Sequence, residues 1–212
     1  EAISTIVTSD STLRHVEQVG LRADVTCMPG GCIGQIANSI RDDPRTAKAN
    51  TILIAAGAND TKGYGHTDQH KVLFAIKSGT EKIQQLVNEY KEKKFLIANT
   101  LKPMGTSPET DFNSIAVTSY LGDIRGHNVT HINLTKYENE PERGPDGHPT
   151  VDGTTQILDN FAHDLQDFYI DRNFSTNKTS YRGVNTTFIY GCGKCFIRGN
   201  FRRTNGFCSD CH

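Results

Sequence analysis

From residue 3 to residue 168, short apolar runs alternate with segments of helical periodicity, and no other feature constrains the chain more. The run at 51–56 carries no charge and suits burial on both faces, as the inner strands of parallel sheets do. Residues 3–7, 23–27, 95–98 and 129–134 read as four further strands. Helices are expected over 12–19, 33–41, 68–93, 113–124 and 153–168; the third sets Val72, Ile76, Ile83, Leu86 and Val87 on one face. Strands separated by helices build βαβ units. The expected class is therefore α/β: three layers, with a doubly wound, parallel, five-stranded sheet between helices. Ligand-handling residues of such a sheet gather at the carboxyl ends of the strands. That directs attention to loops 8–12, 28–34, 57–66, 99–111 and 135–152.

Composition limits the function classes. With 35% hydrophobic and 22% charged residues in 212, the chain can bury a core and is not a disordered segment. No apolar run approaches the ~20 residues that cross a bilayer. The opening residues carry no basic stretch followed by an apolar one, so no signal peptide is expected. Charge is uneven: residues 175–212 hold six basic side chains against Asp210, or +5, leaving 17 basic and 23 acidic, or −6, to the first 174.

Four of the six cysteines fall in that basic tail as Cys192-x2-Cys195 and Cys208-x2-Cys211. Two such pairs, with glycines freeing amides to bond the sulfurs, supply the four thiolates of a tetrahedral Zn²⁺. A closed site of this kind is structural. The expected organisation is a first domain at 1–171, a linker at 172–188 and a zinc-ribbon-like module at 189–212. Clustered rather than spread cysteines favour a reducing compartment, cytoplasm or nucleus. Six Asn-x-Ser/Thr triplets leave secretion open. Arg198, Arg202 and Arg203 interleave with Phe196 and Phe201, a pattern suited to nucleic acid; a basic hairpin docked on the acidic first domain explains them equally well.

Four of the five loops carry candidate residues. Ser11 follows the first strand, where a hydroxyl can attack or can simply cap a helix. Gly30 and Gly31 let an amide approach a ligand, or make a turn. Asn59 can aim its amide into a cleft, or leave the strand through an Asn-Asp turn. His148 sits among turn residues with Asp146 beside it, an unsuitable setting for a core histidine.

In order, these blocks resemble the SGNH (GDSL) hydrolase family of esterases and lipases over residues 3–168. The resemblance implies a flavodoxin-like arrangement of the sheet and a cofactor-free serine esterase. It maps the nucleophile onto Ser11 in Ser9-Asp10-Ser11, the oxyanion hole onto Ser11, Gly30 (with Gly31 as its alternative) and Asn59, and the base onto His148, followed by Pro149, Thr150 and Gly153. Two departures stand out. Ser9 replaces the first glycine of the family's Gly-Asp-Ser block. Asp146, the implied acid, is separated from His148 by one residue where the family has two, which leaves Glu142, Asp152 or a backbone carbonyl as alternative partners of the ring.

An ester substrate, either lipid or acetylated carbohydrate, is the implied small-molecule partner. A second reading keeps the fold as a scaffold that binds nucleic acid or protein. A third is a secreted carbohydrate esterase. A domain of this kind beside a cysteine-rich module is also similar in architecture to the first open reading frame protein of some LINE-type retrotransposons.

Overall fold

The computed structural model describes residues 5–16, 23–135 and 140–164, with the backbones of three short strands farther on. The first five strands are β1 (Thr5–Ser9), β2 (Asp24–Cys27), β3 (Thr51–Ala55), β4 (Lys94–Ala98) and β5 (Val129–Ile132). A sixth, β6 (Thr186–Phe188), pairs with the outer edge of β2. All six are parallel, in the order β5-β4-β3-β1-β2-β6. Strand β6 falls within 172–188, expected as a linker, and makes six strands where five were expected. Three residues are too few for an alternating pattern to register.

Alternation along the strands divides the core in two. Ile52 and Ile54 of β3 face the side covered by α1 (Ile33–Asp42), α2 (Gln69–Glu89) and α3 (Pro108–Gly122). Leu53 and Ala55 face the other side, where Ile157, Leu158 and Phe161 of α4 (Val151–Asp164) pack. All of these side chains are buried. The result is the expected three layers.

Two expected helices differ. Residues 12–19 were expected to be helical; of these 12–16 are described, and they open with a 3-10 turn, Ser11–Leu13, rather than an α-helix. The α3 helix begins five residues before its expected start. Ser107 caps it by accepting from Thr110 N, Pro108 occupies its first turn, and Glu109 and Asp111 follow. These are start signals that apolar periodicity alone overlooks.

The order of the strands locates the crevice. The chain leaves β1 toward β2 on one side and returns to β3 on the other, so the loops after β1 and β3 diverge from neighbouring strand ends. This reversal is where open α/β sheets bind ligands. The short strands β7 (Tyr190–Gly191) and β8 (Arg198–Gly199) pair antiparallel, while Cys192, Cys195, Cys208 and Cys211 lie outside the described residues.

Candidate active site

At the end of β1, Asp10 is wholly buried and ties two loops together. Its Oδ1 accepts from Thr12 N at 2.8 Å and its Oδ2 from Ala58 N, beyond β3, at 3.1 Å. Burial pushes this carboxyl above its ordinary range despite those bonds. Asp10, not Ser11, therefore caps the 3-10 turn. The Ser11 hydroxyl is left to the cleft, and its Oγ lies 2.6 Å from His148 Nε2.

His148 reaches that point from a tight hairpin. Gly147 N donates to Gly144 O at 2.9 Å, closing a turn with Pro145 and Asp146 at its centre, and Gly147 follows with φ of +77°. Glycine suits that left-handed position, and proline suits the second place of the turn. The hairpin is anchored on α4, where Thr150 N donates to Glu142 O at 3.0 Å and Thr150 Oγ1 accepts from Gly153 N at 3.1 Å. A Cβ on Gly153 would collide with the Glu142 carbonyl, which explains the glycine three residues after Thr150.

The one-residue spacing alters what Asp146 does. Its Oδ1 turns back to accept from His148 N at 3.1 Å. Its Oδ2 forms an ion pair with Arg14 Nη2 at 2.8 Å and lies 3.4 Å from His148 Nδ1. That last distance is a charge contact rather than a formed hydrogen bond, and Nδ1 is buried without a hydrogen-bond partner among the described residues. The His148 amide and then Arg14 hold the Asp146 carboxyl below its ordinary range. Of the alternatives, Glu142 accepts from Thr150 Oγ1 at 3.0 Å, and neither Asp152 nor a backbone carbonyl bonds Nδ1.

The remaining sequence candidates divide. Asn59 lines the same cleft as Ser11 and His148, with one amide hydrogen directed to Gly31 O at 3.0 Å. Gly57, two residues earlier, has φ of +120°, and a Cβ there would come within 2.6 Å of Val117 Cγ1; only glycine lets this loop pass. Gly30 sits exposed at the turn after β2 with φ of +78°. Gly31 N closes that turn on Met28 O at 2.8 Å. Neither glycine is among the residues lining the cleft.

Sequence reasoning missed Asp60. Wholly buried, it accepts from Ile33 N at 3.0 Å and so caps α1 from another part of the chain, while the Tyr64 hydroxyl donates to its Oδ1. Burial pushes this carboxyl up to about 6. Cys32 stands beside it at the start of α1. Burial, reinforced by Asp60, pushes the thiol up to about 12, so it is no thiolate nucleophile. Arg14 was missed as well, because nothing in its local sequence connects it with a residue 132 positions away.

The cleft encloses about 340 Å³. Its far wall is Leu101, Pro103, Met104, Thr106 and Thr110 of the 99–111 loop, and Thr61 and Lys62 of the 57–66 loop also line it. Among the described residues, no three His, Cys, Asp or Glu side chains are arranged to hold a metal, and no helix is long and apolar enough to cross a membrane.

Solved structures share this architecture. The lipase/acylhydrolase from Enterococcus faecalis superposes with a TM-score of 0.54 over 81% of this chain and 100% of its own, at 16% identity. A GDSL-like lipase from Bacteroides thetaiotaomicron VPI-5482 gives 0.55 over 76% and 87%, at 13% identity. An acetyl xylan esterase gives 0.53 over 77% and 100%, at 14%. The fold is that of the GDSL, or SGNH, hydrolases. No family model matches the sequence, and no curated protein does.

Proposed function

We propose that the protein is a serine esterase in which Ser11 is the nucleophile and His148 the general base. The observation that carries this reading is the 2.6 Å contact between Ser11 Oγ and His148 Nε2 on the wall of an open cleft. His148 Nε2 takes the Ser11 proton as Oγ attacks the ester carbonyl. The oxyanion is stabilised by Ser11 N–H, the second amide hydrogen of Asn59 and the Gly30 amide, which reaches it only if the β2–α1 turn shifts inward. The alcohol leaves with the proton held on His148, and water, deprotonated by the same nitrogen, releases the acyl group. Asp146 supports the imidazolium charge from 3.4 Å, held in place by Arg14. No step requires a cofactor. A short acyl or acetyl ester of a lipid or carbohydrate fits the size of the cleft.

Labelling with a fluorophosphonate probe and turnover of 4-nitrophenyl acetate test the reading. Both are expected in the wild type and lost in Ser11→Ala; undiminished turnover in that variant overturns the assignment.

A second reading, a weakened site on a scaffold that binds nucleic acid or protein, is favoured by one observation: the Asp146 carboxylate bonds Arg14 and its own loop instead of His148 Nδ1. It predicts no labelling at Ser11. In either case Cys192, Cys195, Cys208 and Cys211 are proposed to hold a structural Zn²⁺ in an intracellular protein, with Arg198, Arg202 and Arg203 available to phosphates. That pairing would suit the LINE-type architecture.

A further inference from the structure

The charges on the cleft wall do not balance. Besides His148, the charged side chains lining it are Lys62, Arg143 and Asp146. Arg143 is engaged by Glu140 and by the Lys102 carbonyl, the latter at 2.7 Å. Asp146 is engaged by Arg14 and His148 N. Lys62 is exposed and forms neither a side-chain hydrogen bond nor an ion pair with any described residue. The cleft therefore presents one uncompensated positive charge, three residues beyond Asn59.

The backbone that carries this lysine is held firmly. Lys62 N donates to Asn59 O at 3.2 Å, and Asn113 Nδ2 donates to Thr61 O at 3.0 Å. Gln69 Nε2 donates to Asn113 Oδ1 at 2.6 Å, locking that amide in turn. Next come Gly63 with φ of +72° and Tyr64 with φ of +58°, the only left-handed non-glycine among the described residues. A tyrosine keeps that conformation only where its surroundings dictate it. Here its hydroxyl is fixed on the buried Asp60. Residues held in sparsely populated backbone conformations cluster at ligand-handling segments, and this segment carries the one lysine that lines the cleft, three residues beyond Asn59.

We propose that Lys62 binds an anionic substituent of the substrate, a carboxylate, sulfate or phosphate on its non-reacting part, so that the site takes small acidic esters in preference to neutral ones. This rests on the esterase reading and names its substrate class. An ammonium offers three donors and a compact charge without demanding a planar partner, so the shared chemistry is a single oxyanion group. The contact is present before and during reaction, so it acts on KM more than on kcat. At an exposed rim it is weakened by salt.

Two matched pairs of esters test this. 4-Acetoxybenzoate and its methyl ester differ in charge on the alcohol side; mono-4-nitrophenyl adipate and its methyl ester differ on the acyl side. Each ratio of kcat/KM is normalised to hydroxide-catalysed hydrolysis of the same ester. In the wild type one pair should favour the anion by about 5-fold or more, through KM, and less so at high salt. Lys62→Met should abolish the preference, Lys62→Glu should invert it, and Lys62→Arg should retain it. Equal ratios in the wild type and Lys62→Met, with neutral esters still hydrolysed, overturn the role of Lys62 and leave the esterase reading standing. Calorimetric titration of Ser11→Ala with 4-acetoxybenzoate and its methyl ester separates the converse case. Selective binding of the anion, lost in Ser11→Ala/Lys62→Met, supports the anion site even if no ester is turned over. No selective binding and no turnover defeat both.

Discussion

Arg14 Nη2 lies 2.8 Å from Asp146 Oδ2, and the same oxygen lies 3.4 Å from His148 Nδ1. A carboxylate that closes on the imidazole of a complete triad is worth ~10⁴ in kcat when replaced by its amide. Here the guanidinium shares the oxygen and the ring nitrogen stands farther off. Asp146→Asn is therefore expected to lower kcat for 4-nitrophenyl acetate by only about 10-fold, against at least ~10³-fold for His148→Ala. Steady-state kinetics of the two variants decide it. A loss in Asp146→Asn as large as that in His148→Ala would mean that the contact closes during turnover.

Asp60 makes stability depend on pH in a direction unusual for an acid. Its carboxyl is pushed up to about 6 in the fold, from 3.8. Between those values the folded chain holds a proton that the unfolded chain has lost, so stability falls as pH rises from about 4 to 6 and then levels. Two pH units correspond to about 3 kcal/mol at most. Asp60→Asn keeps an acceptor for Ile33 N and Tyr64 and removes the titration. Urea midpoints at pH 4.5 and pH 7 should diverge more for the wild type than for the variant. Asp10, whose carboxyl burial pushes in the same direction, adds a slope of the same sign to both, so the difference between them reports Asp60. Parallel behaviour would show that Asp60 keeps an ordinary acidity.

The strands were legible from local pattern, apolar runs and turn residues. The grouping of Ser11, Asn59 and His148 rested instead on the order of their blocks along the chain, which carries the resemblance to the SGNH family. What was not legible depends on distance. Asp10 binds an amide 48 residues away, Asp60 one 27 residues away, and Arg14 a carboxylate 132 residues away. Each looks locally like a cap, a turn residue or a surface charge. The short Asp146-x-His148 spacing was visible, but its consequence was not: a side chain two residues from the histidine bonds that residue's own amide, and its second oxygen is free for Arg14. The missed start of α3 was a different failure, since Ser107, Pro108 and Glu109 stood in the sequence as start signals.

Gly153 fixes the histidine hairpin to α4, and the contact tolerates no side chain. Gly153→Ala would drive a methyl group into the Glu142 carbonyl, separating Thr150 from Glu142 and shifting the base of the loop that carries His148. Overpacking of this kind costs about 2 kcal/mol or more where backbone must move. Thermal melting should register that loss, and activity should fall beyond the fraction unfolded, because a 1 Å displacement of a catalytic base can cost ~10²-fold. Turnover that merely follows the folded fraction would show that the hairpin holds His148 without this anchor.

The cysteine-rich tail is expected to depend on metal while the first domain does not. The stretch from Tyr190 to His212 has too few apolar residues to form a core unaided, so Zn²⁺ held by Cys192, Cys195, Cys208 and Cys211 would supply its folding free energy. Metal analysis of the purified protein should find about one zinc per chain, with the four thiols reduced. A chelator should then loosen the tail, and Cys208→Ser should do the same. Ester hydrolysis should persist in both, since Ser11, Asn59 and His148 are all positioned by elements that end at Asp164. Binding to nucleic acid through Arg198, Arg202 and Arg203, if present, should weaken steeply with salt and fall when the three become alanine. Two disulfides and no metal would overturn the zinc assignment and favour an oxidising compartment. Esterase activity lost together with zinc would mean that the tail supports the cleft, and β6 on the edge of β2 is the place where such support would enter the sheet.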